Sequence, residues 1–221
     1  MHSDGLLRRL QTDVIAIEAV ALAGGPDLAR PVPTCPEWTV ADLLAHLGQV
    51  EDWVRRMLRN REYAEERPPD PDPIRAVADF IDGIAGYLTA MRAITPAEPC
   101  WTFGPPPQLA GFWIRRQAHE HAVHRVDLES AFGTRPAFEP EFAADGVDEF
   151  LTLFHPAHRG EPVLLKAADT DGGWLLGEGE PAAVVTADAT TLYLGLWKRL
   201  DLLTDSQITG DRGVAERALR P

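Results

Sequence analysis

The sequence predicts an α+β protein, with a bundle of four helices within about residues 1–137 and a small α/β domain over about residues 138–221. Three observations carry this reading. Four helical segments come before anything that reads as a strand. The texture changes after about Phe138, where shorter strand-like runs take over. Two of these runs, Val163 to Ala168 and Trp174 to Leu176, flank the turn residues Asp169-Thr170-Asp171-Gly172-Gly173, which is a hairpin signal. Helices first and strands later point to two domains.

The first helix is expected from about Asp4 to Ala23. Leu7, Leu10, Val14, Ile17 and Ala21 form its apolar stripe, and Gly24-Gly25 stops it. A proline-rich loop follows, with Pro31, Pro33 and Pro36. The second helix opens at Thr39, where Thr39-Val40-Ala41-Asp42 is a capping box with Asp in place of the usual Glu. It turns Leu43, His46, Leu47, Val50, Trp53 and Met57 inward and ends near Asn60. Glu65 to Pro73 reads as a loop. Asp72-Pro73 then caps and starts a third helix that continues through Ile74, Val77, Ile81, Ile84, Leu88 and Met91. Pro99 to Pro107 cannot be regular helix. The fourth helix spans about Leu109 to Phe132 and closes at Gly133. Beyond it come a helix from about Pro140 to Phe154, the hairpin, and a third strand at Ala182 to Thr186. A helix capped by Asp188, a strand around Gln207 to Thr209 and a last helix near Val214 to Leu219 complete the chain. The inter-helix loops are long for antiparallel neighbours, so any of them can be a crossover.

The chain has 221 residues, is 45% hydrophobic and 25% charged, and has no apolar run of membrane length and no signal-peptide core at its start. A cytoplasmic protein without membrane association is expected. Its formal charge of −13 argues against a nucleic-acid partner, because phosphate neutralisation needs a basic face. Cys35 and Cys100 lie far apart, and a reduced pair is expected. Arginine far outnumbers lysine, which occurs only at Lys166 and Lys198; with abundant Ala, Gly and Pro this suggests a GC-rich genome.

The informative pairing spans some 74 residues. Glu120 and His124 are four apart and share a helix face, whereas His46 lies on the apolar side of its own helix. If both helices belong to one bundle, two imidazoles and a carboxylate can converge, which is the ligand set of a catalytic zinc site with one position open. The plainer readings are a solvated Glu/His pair and a buried, hydrogen-bonded His46. Gln117, Glu120, His124 and Asp127 form a polar stripe that can equally face water. His119-Glu120-His121 is not the zinc-protease motif, because the fourth position after His119 is Val123. His121 is a reserve ligand, and otherwise His119 and His121 are expected at the surface or an interface. Most of Arg55, Arg56, Arg59, Arg115, Arg116 and Arg125 are expected to be solvated. One or two are candidates to hold a substrate carboxylate, and Arg116 and Arg125 are the ones carried forward. No P-loop, dinucleotide fingerprint or nucleophile elbow is present.

At these residues the chain resembles the mycothiol-dependent maleylpyruvate isomerase family. Pro33-Thr34-Cys35-Pro36-Glu37-Trp38-Thr39-Val40-Ala41-Asp42-Leu43-Leu44-Ala45-His46-Leu47 looks like its first signature, and Arg116, Glu120, His124, Arg125 and Asp127 match its second. The resemblance implies a DinB-like metal-binding four-helix bundle in up-down-down-up order, followed by a small sterol-carrier-like α/β domain. It implies a divalent metal, usually zinc, on His46, Glu120 and His124, with Asp127 orienting a ligand or an arginine. It also implies mycothiol, the low-molecular-weight thiol of actinobacteria, as cosubstrate. A thiol at an open metal position loses its proton and becomes nucleophilic at neutral pH. Such a thiolate serves an isomerase, by reversible addition to a cis double bond, or an S-transferase, by displacement. The partners implied are the thiol and a small electrophile, and the assembly a monomer or homodimer. The alternative is a metal-containing carrier or sensor of small molecules without catalysis.

Overall fold

The computed structural model describes residues 2–155, 158 and 160–219 and divides into two units, His2–Pro136 and Ala137–Pro221. In the first unit, α1 (Ser3–Ala23), α2 (Val40–Asn60), α3 (Pro73–Arg92) and α4 (Gly111–Ser130) form the bundle. Their ends follow local chemistry. Thr39 accepts from the backbone of Asp42 while the Asp42 carboxylate accepts from the backbone of Thr39, so the capping box is complete. Asp72 caps α3 by accepting from the backbone N–H of Ile74, with Pro73 in the first turn. At the end of α1, Gly24 takes a positive φ of 58°.

α1 packs on α4 and α3, and α2 on the same two helices. A Cβ on Gly48 of α2 would meet Phe80 of α3 at 3.2 Å, so glycine permits a close approach there. Further along, Arg55 of α2 lies against Gly83 and Gly86 of α3. Residue numbers rise together along this contact, so α2 and α3 are parallel. α4 runs the other way: Trp53 meets Trp113, Glu51 meets His121, and His46 meets Glu120. Parallel neighbours need a return path as long as the bundle. A 20-residue helix such as α3 is about 30 Å long, and the segment 61–72 covers that distance when extended at about 3.3 Å per residue.

The structure corrects the sequence reading at three places. The proline-rich loop before α2 is partly ordered as an antiparallel ribbon of β1 (Pro31–Val32) and β2 (Cys35–Thr39), so strand structure does occur before residue 138. Proline and the residue preceding it favour extended backbone, and Pro33-Thr34 turns the chain. Second, no residue of α4 is exposed, and His119 and His121 are fully buried rather than at the surface. Third, the buried stripe of α2 runs through Leu43, Leu44, Leu47, Val54 and Met57; His46, Val50 and Trp53 lie at its margins.

The second unit contains α5 (Pro140–Leu153), β3 (Val163–Ala167), β4 (Gly173–Leu176), β5 (Ala183–Ala187), α6 (Ala189–Leu196), β6 (Gln207–Gly210) and α7 (Arg212–Leu219). The strands form one sheet in the order β4-β3-β5-β6, with β3 and β5 parallel and the other pairs antiparallel. Val163, Leu165, Ala167, Ala183 and Val185 alternate onto the covered face. Asp188 caps α6 by accepting from the backbone N–H of Thr191. Among the described residues, no helix is long and apolar enough to cross a membrane.

Candidate metal centre

His46, near the start of α2, and Glu120 and His124, one turn apart on α4, meet inside the bundle. One ligand atom from each lies within 4.8 Å of the others. The Nε2 atoms of His46 and His124 stand 3.3 and 3.2 Å from the same Glu120 Oε1. Other groups fix each member. His124 donates through Nδ1 to Asp127 Oδ2 at 2.9 Å, and the Thr34 hydroxyl donates to Asp127 Oδ1 at 2.6 Å. Nε2 of His124 is thereby turned toward Glu120. The second oxygen of Glu120 is taken by the Arg116 guanidinium. The ring of Trp38, on β2, lies 5.0 Å from that of His46 and 6.1 Å from that of His124, covering the pair.

Burial favours the uncharged forms of these groups, but their mutual charges prevail. Burial alone would raise the Glu120 carboxyl, yet His124 and Arg116 hold it well below the usual carboxylate range. Burial would lower His124, but Glu120 and Asp127 push it up to about 9. In metal-free protein this imidazolium stabilises the fold. Its contribution is complete below about pH 6.5 and is lost as pH rises through about 9. That of Glu120 is present above pH 4.5 and is lost as pH falls below it. The urea midpoint of chelator-treated protein should therefore fall between pH 6.5 and 9, and His124→Gln should flatten that limb. An unchanged slope in the variant would exclude His124 as its source.

The three residues named from the sequence as the ligand set, His46, Glu120 and His124, are brought together, whereas the reserve ligand His121 is not. Arg116 and Arg125, the candidates for a substrate carboxylate, are both engaged by protein carboxylates. Arg116 holds Glu120, while Arg125 bridges Asp13 at 3.0 Å and Glu129 at 2.6 Å, tying α1 to α4. His121 instead faces Glu51 at 3.0 Å and stacks on Tyr87. Neither Cys35 nor Cys100 is in a disulfide, and Cys35 Sγ lies 3.8 Å from Asp127 Oδ2. Sequence reasoning missed Trp38 and Glu51. Glu51 had a signal: it interrupts the stripe of Leu47 and Val54 with an acid.

The family model described as the mycothiol maleylpyruvate isomerase N-terminal domain matches residues 10–129, more than half of the chain, and the MDMPI C-terminal domain matches residues 141–217. The chain belongs to the mycothiol maleylpyruvate isomerase family. Two solved structures resemble it: the mycothiol-dependent maleylpyruvate isomerase, with a TM-score of 0.70, and a histidine-to-alanine mutant of it, with a TM-score of 0.69. Each is 14% identical, and the likeness covers 96% of this chain and 95% of the other. At that identity the likeness establishes the fold. No curated protein matches. If the cluster holds a divalent metal, Asp127→Ala is expected to weaken its binding about 10–100-fold, because His124 loses the carboxylate that orients it. Titration with a chromophoric competitor measures this, and an unchanged affinity would remove Asp127 from the site's support.

Proposed function

We propose that this chain is a mycothiol-dependent enzyme acting on a small electrophile, with a divalent metal, zinc by preference, held by His46, Glu120 and His124. The observation that carries the reading is the convergence of these three side chains from two helices in a member of this family. The donor set fits the group. Two imidazole nitrogens and one carboxylate oxygen, with an outer carboxylate on one imidazole, match open catalytic zinc sites. When bound, the metal lowers the pKa of a thiol and so supplies a thiolate at neutral pH. Asp127 and Thr34 keep His124 in the tautomer whose Nε2 can ligate. Arg116 keeps Glu120 ionised and fixed in direction. Trp38 shields the cluster on the side of the ribbon.

On this reading the enzyme works in the cytoplasm of a mycothiol-producing actinobacterium, and its partners are small molecules. Isomerisation of a cis double bond and S-transfer to a halide use the same site and are told apart by product. The test is to incubate zinc-loaded protein with mycothiol and either maleylpyruvate or a reactive halide. Regeneration of thiol marks the isomerase, and thiol consumed mole for mole marks the transferase. Glu120→Gln should lower turnover with either. Absence of thiol-dependent turnover with every electrophile would leave the carrier or sensor reading in its place.

A further inference from the structure

We propose that the groove between α2, α3 and the 61–72 crossover seats the hydroxyl-rich, non-thiol part of the cosubstrate, recognised by Glu51 and Arg55; this rests on the mycothiol reading above. Two cavities make up the groove. One, of about 510 Å³, opens beside Trp38 and His46. The other, of about 290 Å³, continues past Glu51 to Arg55 and Arg67. They share Ala45, Gln49, Pro69, Asp70 and Ala76 in their walls, so the two cavities adjoin along α2, and His46 of the cluster lines the nearer one.

Two polar groups in it keep unused hydrogen-bonding capacity among the described residues. Glu51 is 2% exposed; its Oε1 faces His121, but its buried Oε2 has no hydrogen-bond partner. An unmade bond at a buried oxygen is costly, and a ligand hydroxyl can supply it. The Arg55 guanidinium lies over Gly83 and Gly86, where an added Cβ would sit 3.8 and 3.6 Å away, and among the described residues it has no ion-pair or hydrogen-bond partner.

The charge pattern selects the ligand class. Glu51, Asp70 and Asp79 interleave with Arg55 and Arg67, while Asp52 is held by Arg56 at 2.8 Å. There is no surplus of positive charge to attract a dicarboxylate. Alternating carboxylate acceptors and guanidinium donors instead match a neutral polyol, whose hydroxyls both donate and accept. His46 and Arg55 are nine residues apart on α2, roughly 13 Å along the axis. The groove therefore suits a glycoside extending away from a thiol at the metal.

The experiment compares mycothiol with N-acetylcysteine, which keeps the thiol and lacks the glycoside, using zinc-loaded protein and one electrophile. Arg55→Leu is expected to raise the KM for mycothiol about tenfold, the worth of one charge-assisted hydrogen bond, while kcat and the N-acetylcysteine kinetics stay put. Gly83→Leu, which fills the groove wall from α3 and leaves Glu51 in place, should do the same. Calorimetry of N-acetylglucosaminyl-inositol, a neutral polyol, with metal-free protein gives a readout independent of turnover, and Arg55→Leu should abolish its heat. If wild-type protein turns over mycothiol, both variants keep its KM and N-acetylglucosaminyl-inositol does not bind, the groove proposal is overturned and the enzyme reading stands. If no thiol is turned over but N-acetylglucosaminyl-inositol binds through Arg55, the groove stands and the enzyme reading falls.

Discussion

His46→Ala should reduce the metal content of the purified protein from about one divalent ion per chain to near zero. Thiol-dependent turnover should fall by more than the roughly 10–100-fold that loss of an outer partner costs. The asymmetry of the site explains the size of the effect. Glu120 and His124 come from one helix, and His46 is the only member supplied by α2. Without it, one imidazole and one carboxylate remain, a pair that surface helices commonly carry. The side chain of His46 is 31% exposed and lies at the margin of the buried stripe, so the variant should unfold at nearly the urea midpoint of metal-free wild type. Metal analysis by plasma mass spectrometry, paired with that midpoint, separates ligand loss from misfolding. Full occupancy in a folded variant would show that the ion sits elsewhere.

Trp113→Ala should cost about 3–5 kcal/mol, a large part of the roughly 5–15 kcal/mol that holds a domain folded. Trp113 is completely buried in the first turn of α4. Its ring packs against Trp53 at 5.5 Å, Phe112 at 5.1 Å and Phe103 at 5.8 Å, and its N–H donates to the carbonyl of Trp101 at 2.9 Å. One side chain therefore joins α2, α4 and the irregular 99–107 segment. Trp113→Phe keeps most of the apolar contact and loses the hydrogen bond, so it should cost less. Urea unfolding at constant pH measures both, and a loss below about 1 kcal/mol in the alanine variant would contradict the packing described.

Much of the fold was legible because it is local. The capping box at Thr39, the Asp72-Pro73 start, the hairpin turn before Gly173 and the Asp188 cap each depend on residues two to four apart, so their hydrogen bonds are written in adjacent letters. The β1/β2 ribbon was not legible. It has few pairs and lies in a segment whose prolines equally suit a loop. Nor was the burial of His119 and His121, since a polar stripe on a helix has the same pattern whether it faces water or polar partners. For His121, one partner is the backbone carbonyl of Gln117, a turn earlier on α4, and the other is Glu51 of α2, which only the assembled bundle brings into reach.

The candidate site divides in the same way. The sequence by itself determined that Glu120 and His124 share one face of α4 and that Asp127 follows one turn on, because helical periodicity sets those directions. It also determined that His46 follows a capped helix start, and with the two signatures it placed the chain in its family. Tertiary structure alone decided that His46 reaches the Glu120 oxygen across 74 residues, that Trp38 covers the pair, and that Arg116 and Arg125 are occupied by protein carboxylates. The reason is the 61–72 crossover and the antiparallel contact of α2 with α4. Spacing within a helix constrains residues about 5 Å apart on one face, whereas the meeting of two helices depends on apolar packing summed over the whole bundle, which no local stretch of the chain encodes.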